Sequence, residues 1–430
     1  MRTVTAALCT LVLGAQEPPL TVADAVASAL ASGPALKASE SQADAARARQ
    51  AQAGWRRAGT LEATGLYTPK QKPLQVDIPS FFPGMDPMSM EIRQLQKYSV
   101  TGTYTLPLWT WGALTGAHRA ASEDAEAARR TALRSRAQTT YDARAAFHQA
   151  EAALAAVTVA EAAFAQQQAF QATARSRVAA GAAPRLDQLK AELAVAKAES
   201  DLLEARNRAV LAREALVATT LDPRFRTAPL KADPTPEGAL PEEASALAQA
   251  LQARPDLEAT RRRLAALELG TRAARASGLP AVAFRASLTQ QNDAPSQVMK
   301  GASQLYSVGL ALSWDALEPG RARAKAAELE AQGRALRHGL RGQEEGVALE
   351  VRSALHRLRE AQARLAVQAR AIDVAMEQAR IARLAYREGV STSLEAQEAE
   401  LALTAARFDH LRARTDAATA WAALELALGR

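Results

Sequence analysis

Few residues in this chain are typed and spaced for bond-making or bond-breaking. The five histidines (His118, His148, His338, His356 and His410) are far apart, and none stands in a His-x-x-x-His spacing. The sequence holds no Gly-rich phosphate loop and no Ser or Cys nucleophile motif. Cys9 is the single cysteine, which excludes a disulfide framework and a multi-cysteine metal site. Solvated histidines on helix faces fit this pattern, so no enzyme activity, cofactor or resident metal is expected. The acids that stand out are Asp187 and Glu395, each six residues past a glycine (Gly181 and Gly389), with Glu398 one turn beyond Glu395. Taken alone they read as first-turn acids of helices, where a negative charge offsets the helix dipole.

The elements that carry these residues are unusual. Of 430 residues 48% are hydrophobic, yet only 4% are aromatic and roughly a quarter are Ala. Alanine buries little area, so the composition argues for helices packed closely on small residues rather than for a bulky enzyme-like core. Lys and Arg number 53 against 46 acids, a net charge of +7. That excess is spread out, with no block of five or six like charges, and a nucleic-acid partner is not expected.

The chain is a tandem duplication. Tyr98-Ser99-Val100 recurs as Tyr306-Ser307-Val308 at a spacing of 208 residues. The same offset carries Gly112 to Gly320, Gly181 to Gly389, Leu186 to Leu394 and Glu192-Leu193 to Glu400-Leu401. Residues 1–15, with Arg2, an apolar run and Gly14-Ala15, read as a signal peptide. A first repeat covers 16–220, a Pro-rich connector 221–242, and a second repeat 243–430. Beyond the N-terminus no stretch has the roughly 18 apolar residues of a transmembrane helix, so any membrane contact must come from strands.

Strands are expected at about 61–68 and 98–108 in the first repeat, and at about 281–290 and 305–314 in the second, with long loops over 69–97 and 291–303. Tyr98, Val100, Gly102, Tyr104 and Leu106 alternate with Ser99, Thr101, Thr103 and Thr105. Tyr306, Val308, Leu310, Leu312 and Trp314 alternate with Ser307, Gly309, Ala311 and Ser313. Period two, with one face apolar and the other small and polar, is what a lipid-facing barrel strand requires. A soluble sheet is the alternative. Four strands cannot close a barrel, so a membrane barrel needs several copies of the chain.

Helices are expected over 113–180 and 321–387, each spanning roughly 100 Å at 1.5 Å per residue, and over 185–218 and 393–428. Val351, Leu358, Leu365, Ile372, Ala379 and Tyr386 repeat in sevens, as do Leu189, Ala196, Leu203, Val210 and Val217. Such spacing predicts left-handed coiled-coil packing. Helices alone would also suit a coiled-coil rod; the strands argue against one.

In its order of elements and its motifs the chain resembles the TolC-type outer-membrane efflux proteins. The motifs are Leu20-Thr21-Val22-Ala23-Asp24 leading to Gly33-Pro34, Leu106-Pro107-Leu108-Trp109-Thr110-Trp111-Gly112, and Ala385-Tyr386-Arg387-Glu388-Gly389-Val390-Ser391-Thr392-Ser393-Leu394-Glu395. The resemblance implies a mainly α fold with a transmembrane β-barrel contribution: two tandem repeats of long coiled-coil helices, and four strands per protomer completing a 12-stranded barrel in a homotrimer. It implies a bacterial outer-membrane location with most of the chain in the periplasm. It further implies a passive exit duct in a tripartite efflux or type I secretion system. The partners would be a periplasmic adaptor (membrane fusion) protein and an inner-membrane transporter of RND, ABC or MFS type. Asp187, Glu395, Glu398 and Tyr386 would then form the periplasmic entrance, and Gly181, Ala183, Gly389, Ser391 and Thr392 the adaptor-docking tips. Tyr98, Val100, Tyr104, Tyr306, Val308, Leu310, Leu312 and Trp314 would face outer-membrane lipid. The basic residue that some relatives carry two positions after the tip glycine is Ser391 here. The alternative function is a periplasmic coiled-coil adaptor or structural rod.

Overall fold

The computed structural model describes residues 18–69, 74–78, 88–92, 97–234, 238–292, 298 and 304–430. The expected signal peptide therefore lies outside the described residues. In chain order the elements are α1 (Val22–Ser32), α2 (Pro34–Trp55), β1 (Thr60–Thr68), β2 (Leu74–Ile78), β3 (Met88–Ile92), β4 (Lys97–Trp109), α3 (Ala113–Ala179) and α4 (Arg185–Thr220). After the connector come α5 (Glu243–Ala253), α6 (Pro255–Ser277), β5 (Ala281–Asn292), β6 (Gln304–Ser313), α7 (Glu318–Arg387) and α8 (Ser393–Leu428). No helix among the described residues is long and apolar enough to cross a membrane.

The chain divides into two units. One comprises Met1–Ser41 (described from Pro18), Arg130–Glu258 and Gly342–Arg430. Its helices close on small residues: Ala143, Ala150, Ala174, Ala191, Ala379, Ala396 and Ala413 are all fully buried. Larger side chains fill isolated knots, such as Phe147, Leu216 and Phe225 against Leu20 and Ala25. The chain start is strapped to the connector, with the Leu20 amide donating to the Pro229 carbonyl at 2.9 Å and the Lys231 amide to the Leu20 carbonyl at 2.8 Å. Arg254, 3% exposed, is neutralised by Asp256 at 2.7 Å and by Glu350. A buried guanidinium tolerates loss of water only with such partners.

Within this unit the sevens on α7 are buried at Val351, Leu358, Ala379 and Tyr386 and half-buried at Leu365 and Ile372. The sevens on α4 are not. Leu189, Leu203 and Val210 are 52%, 62% and 59% exposed, while Ala191, Ala198, Leu202, Ala205, Ala209 and Leu216 make its buried face. A second run of sevens on α7, Val367, Val374 and Ile381, is likewise exposed.

The other unit comprises Gln42–Arg129 and Ala259–Arg341 and holds an antiparallel sheet in the order β1-β4-β5-β6. Register aligns Leu61 with Tyr104, Tyr104 with Ala286, and Ala286 with Val308. Directly paired residues share a face. One face therefore carries Leu61, Tyr67, Tyr98, Val100, Tyr104, Phe284, Leu288, Tyr306, Val308, Leu310 and Leu312. The other carries Ser99, Thr101, Thr103, Thr105, Ser287, Thr289 and Ser307, with Glu62 and Arg285 and two leucines, Leu66 and Leu305. On that polar face Thr101 and Thr289 hydroxyls meet at 3.0 Å, and Ser287 and Ser307 at 2.8 Å. Trp314 falls one residue past β6, and its indole N–H donates to the Gly278 carbonyl at 3.4 Å.

The stretch 69–97, expected as a loop, contains the paired strands β2 and β3, with Leu74 opposite Ile92, Val76 opposite Met90 and Ile78 opposite Met88. Pro73, Pro79 and Pro87 obscure this pattern in the sequence. In the sequence each directly flanks a strand segment rather than falling inside one.

Candidate functional site at the helix turns

Two tight turns, α3 to α4 and α7 to α8, carry the residues expected at the entrance and tips. Both lie in the first unit. They are built alike on their helix-ending side. Gly181 (φ 72°) donates to Val178 O at 3.0 Å and Ala182 to Arg177 O at 2.8 Å. Gly389 (φ 79°) donates to Tyr386 O at 3.1 Å and Val390 to Ala385 O at 2.9 Å. This pair of bonds is the Schellman closure, which needs a left-handed residue that glycine supplies without strain. Gly181, Gly389 and Thr392 are exposed, whereas Ala183 and Ser391 are half-buried.

The helix-starting sides differ. Pro184 caps α4 with no side-chain hydrogen bond. Thr392 caps α8 through a reciprocal capping box with Glu395. The Glu395 carboxylate accepts from the Ser391 hydroxyl at 2.5 Å and the Thr392 amide at 3.1 Å. Those bonds hold its pKa below the ordinary glutamate value, the Ser391 hydroxyl most strongly. Glu395 thus turns back on its own helix end. Ser391 serves this cap. Asp187 is half-buried in the first turn of α4, and Glu398 is exposed.

Beneath the turns lies one aromatic knot. Tyr386, 3% exposed, packs with Phe170 and Ala174 of α3, Ala191 of α4 and Ala396 of α8. Its ring stacks on Phe170 at 4.9 Å between centroids. The Arg177 guanidinium lies 4.8 Å from the same ring centre and donates to the Tyr386 carbonyl. Burial raises the Tyr386 phenol pKa, and the Asp187 charge adds to this while Arg177 opposes it. Its hydroxyl is buried without a hydrogen-bond partner among the described residues. Further along α8, Glu400 is 5% exposed and pairs with Arg383 at 2.7 Å. Burial nonetheless raises its pKa, outweighing Arg383 and Arg407.

Sequence reading missed Phe170, Arg177, Arg383 and Glu400. A basic residue in the last turn of a helix is a signal for Arg177, but nothing in the spacing couples it to Tyr386. The arrangement holds no nucleophile, no acid–base pair and, among the described residues, no metal-competent cluster. It is a mechanical junction with acids at its surface.

The model for the outer membrane efflux protein family matches residues 25–220 and 246–430. The chain belongs to that family. No curated protein sequence matches it. Among solved structures, the OprN outer-membrane channel is 21% identical with a TM-score of 0.79, over 95% of this chain and 89% of that one. The Vibrio cholerae outer membrane protein VceC is 19% identical with a TM-score of 0.77, over 95% and 96%. The open state of the Neisseria gonorrhoeae MtrE channel is 18% identical with a TM-score of 0.76, over 95% and 88%. At these identities the likeness establishes the fold. This efflux protein is accordingly a bacterial outer-membrane channel component with most of its chain in the periplasm, and it is not an enzyme.

Proposed function

We propose that this efflux protein is a passive exit duct that works as a homotrimer, with twelve strands closing one outer-membrane barrel. One observation carries the reading: among the described residues the sheet is left open at both edges, β1 and β6, while one face is predominantly apolar. Leu61, Tyr306, Val308, Leu310 and Leu312 are each more than two-thirds exposed. An open apolar edge is a site for pairing, and identical copies joined β1 to β6 remove every edge at once. The unfilled sevens on α4 and α7 support the same assembly, since an apolar helix seam with no partner in its own chain calls for another chain.

In the barrel, Tyr98, Val100, Tyr104, Tyr306, Val308, Leu310 and Leu312 face lipid and the Ser/Thr face lines the pore. Trp55, Trp109, Trp111 and Trp314, each more than half exposed, stand where helices meet strands. Tryptophans gather at membrane–water boundaries, so they set the periplasmic edge of the lipid band. The turns around Gly181, Ala183, Gly389, Ser391 and Thr392 dock a periplasmic adaptor that links the duct to an inner-membrane transporter of RND, ABC or MFS type. Asp187 and Glu398 in three copies give the entrance its negative charge and a preference for cations, with Tyr386 holding the turns. Glu395, held ionised by its cap, adds its charge to that ring.

Native mass spectrometry of detergent-extracted protein tests the assembly, with three copies expected. A water-soluble monomer would refute it. Arginine at Leu310 should cost about 2–4 kcal/mol of barrel stability near the membrane midplane, and arginine at Ser307 far less. Equal tolerance at both positions argues against a lipid-facing row.

A further inference from the structure

A cavity of about 100 Å³ opens between α3, α4 and α8, within the helical unit. Its walls are largely apolar, with Ala163 from α3, Ala194 from α4, and Leu401 and Phe408 from α8, while the Thr404 hydroxyl is already engaged with the Glu400 carbonyl. That volume is well above the roughly 10–15 Å³ that a single water requires, and apolar cavities of comparable size take up small rings. Two amides interrupt the apolar lining. Gln167, 6% exposed, lines the cavity with its Oε1 buried and, among the described residues, without a donor. Gln397 lines it from α8 with its Nε2 buried and, among the described residues, without an acceptor. A buried polar atom left unpaired costs about 1–3 kcal/mol. Here one missing partner is a donor and the other an acceptor. Lys197 and Asp201, both exposed, add a charged pair to the α4 side.

From this we infer that the cavity is a binding site for a small neutral molecule with an apolar body and a carboxamide-type edge. The ligand's carbonyl accepts from Gln397 Nε2, and its N–H donates to Gln167 Oε1. Its body packs on Phe408, Leu401 and the alanines. No charge is favoured inside, because the walls offer no buried counter-ion and an unpaired charge would be expensive to bury. The cavity is a place in the helix wall where three helices can be tied together by one ligand.

Benzamide is the probe, with toluene as its counterpart lacking the amide, measured by ligand-observed NMR on the full-length protein in detergent. Saturable benzamide binding is expected, with toluene at least tenfold weaker, because it leaves both amides unpaired. Gln167→Leu and Gln397→Leu should each weaken benzamide about tenfold, and Ala163→Leu should abolish its binding by filling the space. Size-exclusion profiles unchanged from the parent protein establish that the variants assemble. Should a variant fail to assemble, the benzamide-to-toluene ratio on the unaltered protein still decides. Absence of saturable benzamide binding, equal binding of toluene, or binding indifferent to all three substitutions would each overturn the assignment. None of these results bears on whether the protein is trimeric or spans a membrane.

Discussion

The two turns of the duplicated hairpin share one backbone closure and differ in the side chains that fasten them. Each ends its first helix with a left-handed glycine and the same two backbone bonds. Each then starts the return helix differently: α4 begins on a proline without a side-chain cap, and α8 begins on Thr392 with Glu395 and Ser391 folded onto it. The shared half is dictated by backbone sterics, which leave little choice beyond glycine. The divergent half is dictated by side chains, which are free to change. The α7–α8 turn is therefore fastened by its own residues, whereas the α3–α4 turn depends on Arg177 and Phe170 reaching Tyr386 beneath the other turn.

The largest test of that dependence is Tyr386→Ala. Removing the ring empties the shared knot and should cost about 3–5 kcal/mol of local stability. Hydrogen exchange should quicken in both turns, and by more in the α3–α4 turn, which has no cap of its own. Equal loosening of both turns would show that the capping box adds nothing. Tyr386→Phe makes the opposite case. It keeps the stack and removes an unpaired buried hydroxyl, so stability should hold or rise by about 1 kcal/mol.

How much of this was open to sequence reading depends on the range of the contacts. Period two in Tyr306 to Leu312 is a local property, and it yields the apolar face of β6 directly. The sevens through Val351, Leu358 and Tyr386 are also local, and those residues are buried. The sevens on α4 are equally regular, yet Leu189, Leu203 and Val210 are exposed in this chain. Spacing reveals that a seam exists without revealing which chain fills it. The Arg177–Tyr386 contact joins residues 209 apart. The duplication gives no help there, because the offset of 208 sets Val178 against Tyr386, so the matching position of the first copy holds no tyrosine. Strands β2 and β3 were hidden by flanking prolines, which punctuate a strand as readily as they exclude one.

Smaller effects separate the shared half from the divergent half. Alanine at Gly181 or Gly389 must adopt a positive φ, at about 1–2 kcal/mol each. A Cβ at Gly181 meets nothing within 4 Å, and one at Gly389 meets an Arg177 nitrogen at 3.5 Å, an ordinary contact. The two substitutions should therefore destabilise alike in thermal unfolding. A much larger loss at Gly389 would show that the Arg177 bridge tolerates no displacement. On the other side, Thr392→Ala should cost about 1 kcal/mol by removing the cap, whereas Pro184→Ala, with no cap bond to lose, should stay within about 0.5 kcal/mol.

The finest distinction lies within α8, where two glutamates five residues apart titrate in opposite senses. The Glu395 pKa is depressed in the folded chain, so its cap is fully present above the ordinary glutamate value and is lost as pH falls through the lower, folded value. The Glu400 pKa is raised by burial. Its ionised form is the less favoured one in the fold, and stability declines as pH climbs from the ordinary value through the raised one. Acidification should therefore first relieve strain around Glu400 and only later release the α7–α8 turn. Exchange protection of the Thr392 and Glu395 amides, followed from neutral pH downward, should fall only below the ordinary glutamate range. In Glu395→Gln that late loss should vanish. In Glu400→Gln it should persist, while the gain on mild acidification disappears. If Glu395→Gln still shows the late loss, the acid-sensitive fastening lies elsewhere, and the two turns differ in sequence without differing in how they are held.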